Sequence, residues 1–212
     1  METDYWNRVA PTKAFSHPVN TAKLFEFVPL RGRILDYGCG YGRALGILEA
    51  CGYNNLIGVD PVPAMIERAR REFPSVSFAV LGTKQKTDLP DASVDAVLLF
   101  AVLTSAPAND TQRMIIAEIT RLLRPGGVLY ISDMFLQTDA RNLERYIEGE
   151  KRHGLYGVFD LRDGVTVRHH DRSWIAALTT GYEPIAFEEI PIQTMNGNAA
   201  TGFQWFGRKA SV

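Results

Sequence analysis

The residues best placed to do chemistry are two carboxylates set around a run of glycines. Glycines 38, 40 and 42 follow the apolar pair Ile34-Leu35 closely and precede a segment with helical spacing. Glycine at such a turn lets the backbone bend tightly and lets a ligand approach without interference from a Cβ. Asp36 stands two residues before the first of them, and Asp60 ends the next apolar run, Leu56-Ile57-Gly58-Val59. A carboxylate at the end of a second strand can accept both hydroxyls of a ribose. Strand, glycine turn, helix, strand and acid together form a nucleoside-binding arrangement. A dinucleotide would require a third glycine where Arg43 stands, and it would lay a diphosphate at the helix N-terminus beside Asp36. That pairing is electrostatically poor, so the acid argues for a ligand carrying positive charge. The plainer alternatives are that Asp36 caps the following turn and that Asp60 is the N-cap of the next helix.

A second group lies toward the C-terminus. His169 and His170 precede Asp171. A histidine titrating near neutrality suits a general base, and a carboxylate can orient it; the alternative is a helix-entry segment with partly exposed imidazoles. Arg168 can bind an acidic substrate or merely cover its segment. His17, with Tyr5, Trp6 and Phe15, belongs to an aromatic N-terminal arm able to fold over a ligand. The stretch 194–198, with Met195 and Asn196, either faces the ligand or is a plain Asn-Gly hairpin turn. Cys39 has no basic neighbour and reads as a small loop residue rather than a nucleophile.

These groups need a scaffold, and the chain from residue 33 onward supplies one. Short apolar runs at 34–36, 56–60, 76–81, 94–100 and 128–131 alternate with helical spacing at 41–51, 63–73 and 110–123. Pro63 sits near a helix start, Pro74 follows its end, and Gly52 is a plausible stop for the helix before. The run at 94–100 is nearly all apolar, as a strand covered on both faces should be. Such alternation implies right-handed crossovers and a parallel sheet. Beyond it come a polar helix at 139–152 and a hairpin signal, Arg162-Asp163-Gly164, between strands at 158–161 and 165–167. A short helix at 171–180, capped by Asp171 or Ser173 and stopped by Gly181, precedes two final strands at 185–192 and 203–207.

Composition narrows the options. The chain has 212 residues, 46% apolar and 22% charged, enough for one substantial core. The formal net charge is −1, and basic residues such as Arg68, Arg70 and Arg71 are interleaved with Glu67 and Glu72. With no basic block, polymeric nucleic acid is not an expected partner. No apolar run approaches the roughly 18–20 residues that span a bilayer, and the acidic start does not read as a signal peptide. Two cysteines offer neither a disulfide framework nor a metal cluster. A soluble cytoplasmic protein without a membrane or metal partner is expected.

Four segments resemble a known family. Asp36-Tyr37-Gly38-Cys39-Gly40-Tyr41-Gly42 is similar to the first motif of class I S-adenosylmethionine-dependent methyltransferases, and Leu56 to Met65 resembles their second-strand motif. The stretches 88–97 and 122–129 resemble those around their fourth and fifth strands, so the likeness covers about residues 32–133. It implies a doubly wound, mostly parallel seven-stranded sheet with helices on both faces and an antiparallel last strand. It also implies S-adenosylmethionine as cofactor, S-adenosylhomocysteine as product, and in-line methyl transfer, here to a small-molecule acceptor. Gly38 and Gly40 would shape the backbone around the methionine part, with Asp36 on its ammonium. Asp60 would take the ribose hydroxyls, with Pro61 and Val62 against adenine. Many relatives have an acid near the position of Thr83, so that contact would differ here. Phe100 would border the methionine or the acceptor. One domain is expected: an arm at 1–30, a cofactor-binding core at 31–133, a substrate cap at 134–171, and the last helix and strands at 172–212. Trp6, His17, Arg168, Met195 and Asn196 would meet the substrate, and His169 or His170 would serve as base. A non-catalytic S-adenosylmethionine sensor and an NAD(P)-dependent reductase are the competing readings. Arg43 and Asp36 disfavour the reductase.

Overall fold

The computed structural model describes residues 3–82, 85–194 and 197–210. In chain order the elements are α1 (Thr3–Val9), α2 (Thr21–Phe27), β1 (Ile34–Tyr37), α3 (Arg43–Ala50), β2 (Leu56–Asp60), α4 (Pro63–Glu72), β3 (Ser77–Val80) and β4 (Val94–Phe100). There follow α5 (Val102–Ser105), α6 (Asn109–Leu122), β5 (Leu123–Met134), α7 (Ala140–His153), β6 (Val158–Asp160), β7 (Thr166–Arg168), α8 (Arg172–Leu178), β8 (Tyr182–Gln193) and β9 (Ala199–Lys209).

Seven strands form one sheet in the order β3-β2-β1-β4-β5-β9-β8, and β6 and β7 form a separate hairpin. The first five are mutually parallel. β9 runs antiparallel between β5 and β8. Alternation along the central strands divides the core in two. Val97 and Leu99 of β4 and Leu129 and Ile131 of β5 pack with Ile115 and Ile119 of α6 and Ile175 of α8. Ala96 and Leu98 of β4, with Val128 and Tyr130 of β5, face Leu24 of α2, Leu45 and Leu48 of α3 and Ile66 of α4. Helices therefore cover both faces, and each fully buried Leu or Ile contributes roughly 1.5–3 kcal/mol.

Several boundaries differ from the sequence reading, each for a physical reason. α3 starts at Arg43 because Gly42 holds a left-handed φ of 82° and cannot be part of the helix. β5 runs on through Pro125-Gly126-Gly127, where an irregularity pairs Leu123 with Val94 and then Val128 with Ala96. β8 and β9 are longer than their apolar runs because they pair from Tyr182↔Lys209 to Gln193↔Ala199, and this backbone ladder continues past the apolar residues. The helices α1, α2 and α5 are too short for periodicity to reveal. α2 is capped by Asn20, whose side chain accepts from Lys23 N at 3.0 Å. Asp171, rather than Ser173, caps α8 by accepting from Trp174 N. Thr179, not Gly181, closes that helix.

The sheet also fixes where a ligand can lie. Successive connections run from β1 outward to β2 and β3, then return across to β4 on the other side of β1. This reversal opens a crevice at the carboxyl ends of β1 and β4.

Candidate active site

Asp36, near the end of β1, is 2% exposed, and its Oδ1 is buried without a hydrogen-bond partner. Burial and then the neighbouring Asp60 charge push its carboxyl up to about 7, against the pull of Arg43. A buried carboxylate oxygen with no donor is costly unless a ligand supplies one. An ammonium group would do so.

Asp60 joins the two halves of the cradle. Its Oδ2 accepts from Gly40 N at 2.8 Å, and its Oδ1 accepts from Val62 N at 2.9 Å. Burial still holds it up at about 6 despite these bonds. Each oxygen keeps a second lone pair for a hydroxyl. Gly40 needs to be glycine twice over: its φ is +53°, and an added Cβ would run into the ring of Phe15. A Cβ on Gly38 would likewise collide with Val102.

The arm closes over this cradle. Phe15 stacks on Tyr41 with centroids 5.2 Å apart, and Trp6 meets Phe15 edge-on at 6.1 Å. Arg68 lies 3.8 Å over the Tyr41 ring and donates to Ala10 O and Lys13 O, tying the arm to α4. Arg43 donates to His17 O, and His17 Nδ1 lies 3.2 Å from Ser132 Oγ on β5. Ser16 Oγ donates to Gln193 O on β8 at 2.7 Å. On the facing side Phe100 packs edge-on against Tyr130 at 4.7 Å. Ala101 then takes a left-handed φ of 54°, a conformation that non-glycine residues adopt at a cost and that turns β4 into α5 at the cavity wall. Asp133 is fully buried and accepts from Thr104 N at 3.2 Å, from the Thr104 hydroxyl and from Met134 N, holding α5 in place.

One cavity connects these groups. Its wall includes Asp36, Gly38, Gly40, Asp60, Val62 and Phe100. Trp6 and His17 of the arm line it as well, and His169 enters from the cap. Pro61 is not among the described lining residues. Thr83, Met195 and Asn196 lie outside the described residues, although their neighbours Thr194 and Asn198 reach the cavity.

The remaining sequence expectations need correction. His170 is not in the cavity wall. Its Nδ1 faces Met134 O at 3.3 Å and its Nε2 faces Gln112 Nε2 at 2.9 Å, so both ring nitrogens are engaged inside the core. Arg168 also turns away: it donates to Pro107 O and Asn109 Oδ1 and lies 4.8 Å over Trp174. His169 does line the cavity but is not the near-neutral base expected of it. Burial first, then the Arg145 charge, lowers its pKa to about 3. Burial lowers His17 to about 4 as well, with Arg43 adding to the effect. The sequence reading missed Phe15's stacking role, Thr104 and Arg145. The spacing of Arg141 and Arg145, four apart on one helix face, was the available signal for the last.

A crevice at the sheet's switch point, with an unpaired acid and a second buried acid on adjacent strands, has the chemistry to take an adenosyl amino acid. The comparisons agree. Residues 35–131 match the methyltransferase domain family. An uncharacterized methyltransferase of Mycobacterium tuberculosis is 40% identical over 97 residues, covering 46% of this chain and 37% of the relative. A trans-aconitate 2-methyltransferase of Methylobacterium radiotolerans is 34% identical over 113 residues, covering 52% and 42%. The chain thus spans well under half the length of these curated relatives. The crystal structure of a SAM-dependent methyltransferase from Methanosarcina mazei shares the fold, with a TM-score of 0.85 at 24% identity over 90% of this chain and 98% of that one. The chain shares the fold of the class I S-adenosylmethionine-dependent methyltransferases, and its residues 35–131 match the methyltransferase domain. The methyl donor of that family is S-adenosylmethionine and its product S-adenosylhomocysteine. Asp36, Asp60 and the Gly38–Gly40 turn fit the donor's ammonium, ribose and backbone-hugging chain.

Proposed function

We propose that this chain catalyses transfer of the S-adenosylmethionine methyl group to a small-molecule acceptor. The observation that carries the reading is the partly enclosed, largely apolar cavity running from the Asp36–Asp60 cradle to the arm and cap. A recessed, mostly apolar site with a few convergent polar groups suits a small acceptor. The formal charge of −1 also favours a small molecule over polymeric nucleic acid. Relatives named trans-aconitate 2-methyltransferase, from Methylobacterium radiotolerans and Azoarcus, bear the name of a small molecule. No helix among the described residues is long and apolar enough to cross a membrane. Both cysteines are unpaired, which suits the reducing cytoplasm.

The bound donor supplies an electrophilic methyl on a sulfonium; displacement forms the acceptor–carbon bond and breaks the sulfur–carbon bond in line. The chain's part is alignment and exclusion of water. Asp36 anchors the donor's ammonium and Asp60 its ribose, while Phe15 and Phe100 line the same cavity. His17 and His169, held neutral by burial, are weak bases. Proton removal by the chain is therefore minor, and the acceptor atom must already offer a lone pair. Incubation with methyl-labelled donor and fractionated small metabolites tests this. Label should move to a small product, and transfer only to protein or nucleic acid would overturn the proposal.

A further inference from the structure

The cap presents a cation that no salt bridge engages among the described residues, with Asp139 acting on it only at longer range. Arg145 on α7 lines the cavity, its guanidinium 3.8 Å over the Phe159 ring, and its Nε is buried without a partner. Its neighbour Arg141, one turn earlier, lines the same cavity and is 3.9 Å from Asp139. Two like charges at this spacing disfavour each other, and a half-buried guanidinium with no carboxylate in direct contact carries a desolvation cost that Asp139 offsets only in part. An anion between them would relieve both.

The adjacent imidazole is set up as a donor. Tyr146 OH accepts from Gln137 N at 3.1 Å and lies against the Arg145 guanidinium. Its own proton can go to His169 Nδ1, 2.6 Å away. That fixes the imidazole proton on Nε2, so His169 offers an N–H to the cavity. Arginine fork and imidazole N–H together match the two oxygens of a carboxylate. The apolar surroundings of Phe159 and Val167 suit one negative charge better than the two of a phosphate.

We infer that the acceptor is a small carboxylic acid, held through its carboxylate by Arg145, with Arg141 beside it and His169 donating from Nε2. This rests on the methyl-transfer reading above.

The test uses the S-adenosylhomocysteine-loaded protein and ligand-observed NMR. The probes are benzoate, hexanoate and glutarate, each paired with its primary amide, and phenyl phosphate. At least one carboxylate should bind, its amide at least tenfold more weakly. Arg145→Met should weaken that carboxylate at least tenfold while S-adenosylhomocysteine affinity stays within twofold, and Arg145→Lys should recover part of the loss. Equal binding of acid and amide, preference for phenyl phosphate, unchanged affinity in Arg145→Met, or no carboxylate bound would each overturn the inference. The titration is repeated without S-adenosylhomocysteine. Carboxylate binding without any nucleoside binding would sink the methyl-transfer reading and leave the anion site standing.

Discussion

Replacing Asp36 with asparagine should stabilise the ligand-free protein while abolishing its use for the donor. The carboxyl titrates at about 7 in the fold and at 3.8 when unperturbed. A folded-state pKa above the unfolded one means the folded state holds the proton more tightly. Stability is therefore greatest while the group is protonated and is lost as pH rises from about 4 to 7. The loss is about 1.4 kcal/mol per pH unit across that window, with a ceiling of about 4 kcal/mol. The buried histidines work in the opposite sense: His17, His169 and His170 have lowered pKa values, so their contribution is present above about 6.5 and lost on acidification. The bare pH profile of the wild type mixes both trends, and the difference between wild type and Asp36→Asn isolates the carboxylate. Urea denaturation of both proteins at pH 5 and pH 8 measures it. Asp36→Asn should gain about 3 kcal/mol more over the wild type at pH 8 than at pH 5. A difference that does not change with pH would mean that Asp36 is not an uncompensated buried acid, and the cradle argument would fail.

Three further outcomes follow from the site's geometry. Asp60→Ala should weaken S-adenosylhomocysteine binding by about 1–3 kcal/mol by calorimetry, since charged hydrogen bonds to the ribose and to Gly40 N are lost together. Gly40→Ala should dislodge Phe15 and loosen the arm, seen as faster proteolysis before residue 20 and weaker donor binding; an intact arm would refute the packing. His170→Ala should cost about 2–4 kcal/mol in stability by opening a cavity in the core and removing the imidazole contact to Met134 O. Gln112 keeps Leu103 O and Ala106 O as acceptors, so kcat per folded molecule should be nearly unchanged. A large kcat loss in a stable variant would return His170 to the mechanism.

The cofactor half of the site was readable because its chemistry is local. Asp36 and Asp60 sit on two adjacent parallel strands, Asp36 opposite Gly58 in the register, and Gly38 and Gly40 lie in the turn directly after the first strand, so spacing along the chain translates directly into proximity. The apolar runs of β1, β2 and β4 are legible for the same reason. The acceptor half comes from segments far apart in the chain, and only folding brings Phe15, Thr104 and Arg145 to one cavity. The histidine pair shows the limit most clearly. Adjacent residues leaving a strand point opposite ways, so His169 reaches the cavity and His170 the core. Sequence alone gives no phase for that alternation. Nor does it reveal burial, which turns a residue type suited to base catalysis into a neutral donor.

The central claim is that Asp36 holds the positive end of an adenosyl amino acid. Calorimetric titration of S-adenosylhomocysteine at pH 7, in two buffers of different ionisation enthalpy, tests it most directly. The account predicts binding with release of about half a proton per site from Asp36, absent in Asp36→Asn. Binding without proton release, or tighter binding of NADH than of S-adenosylhomocysteine, would contradict it.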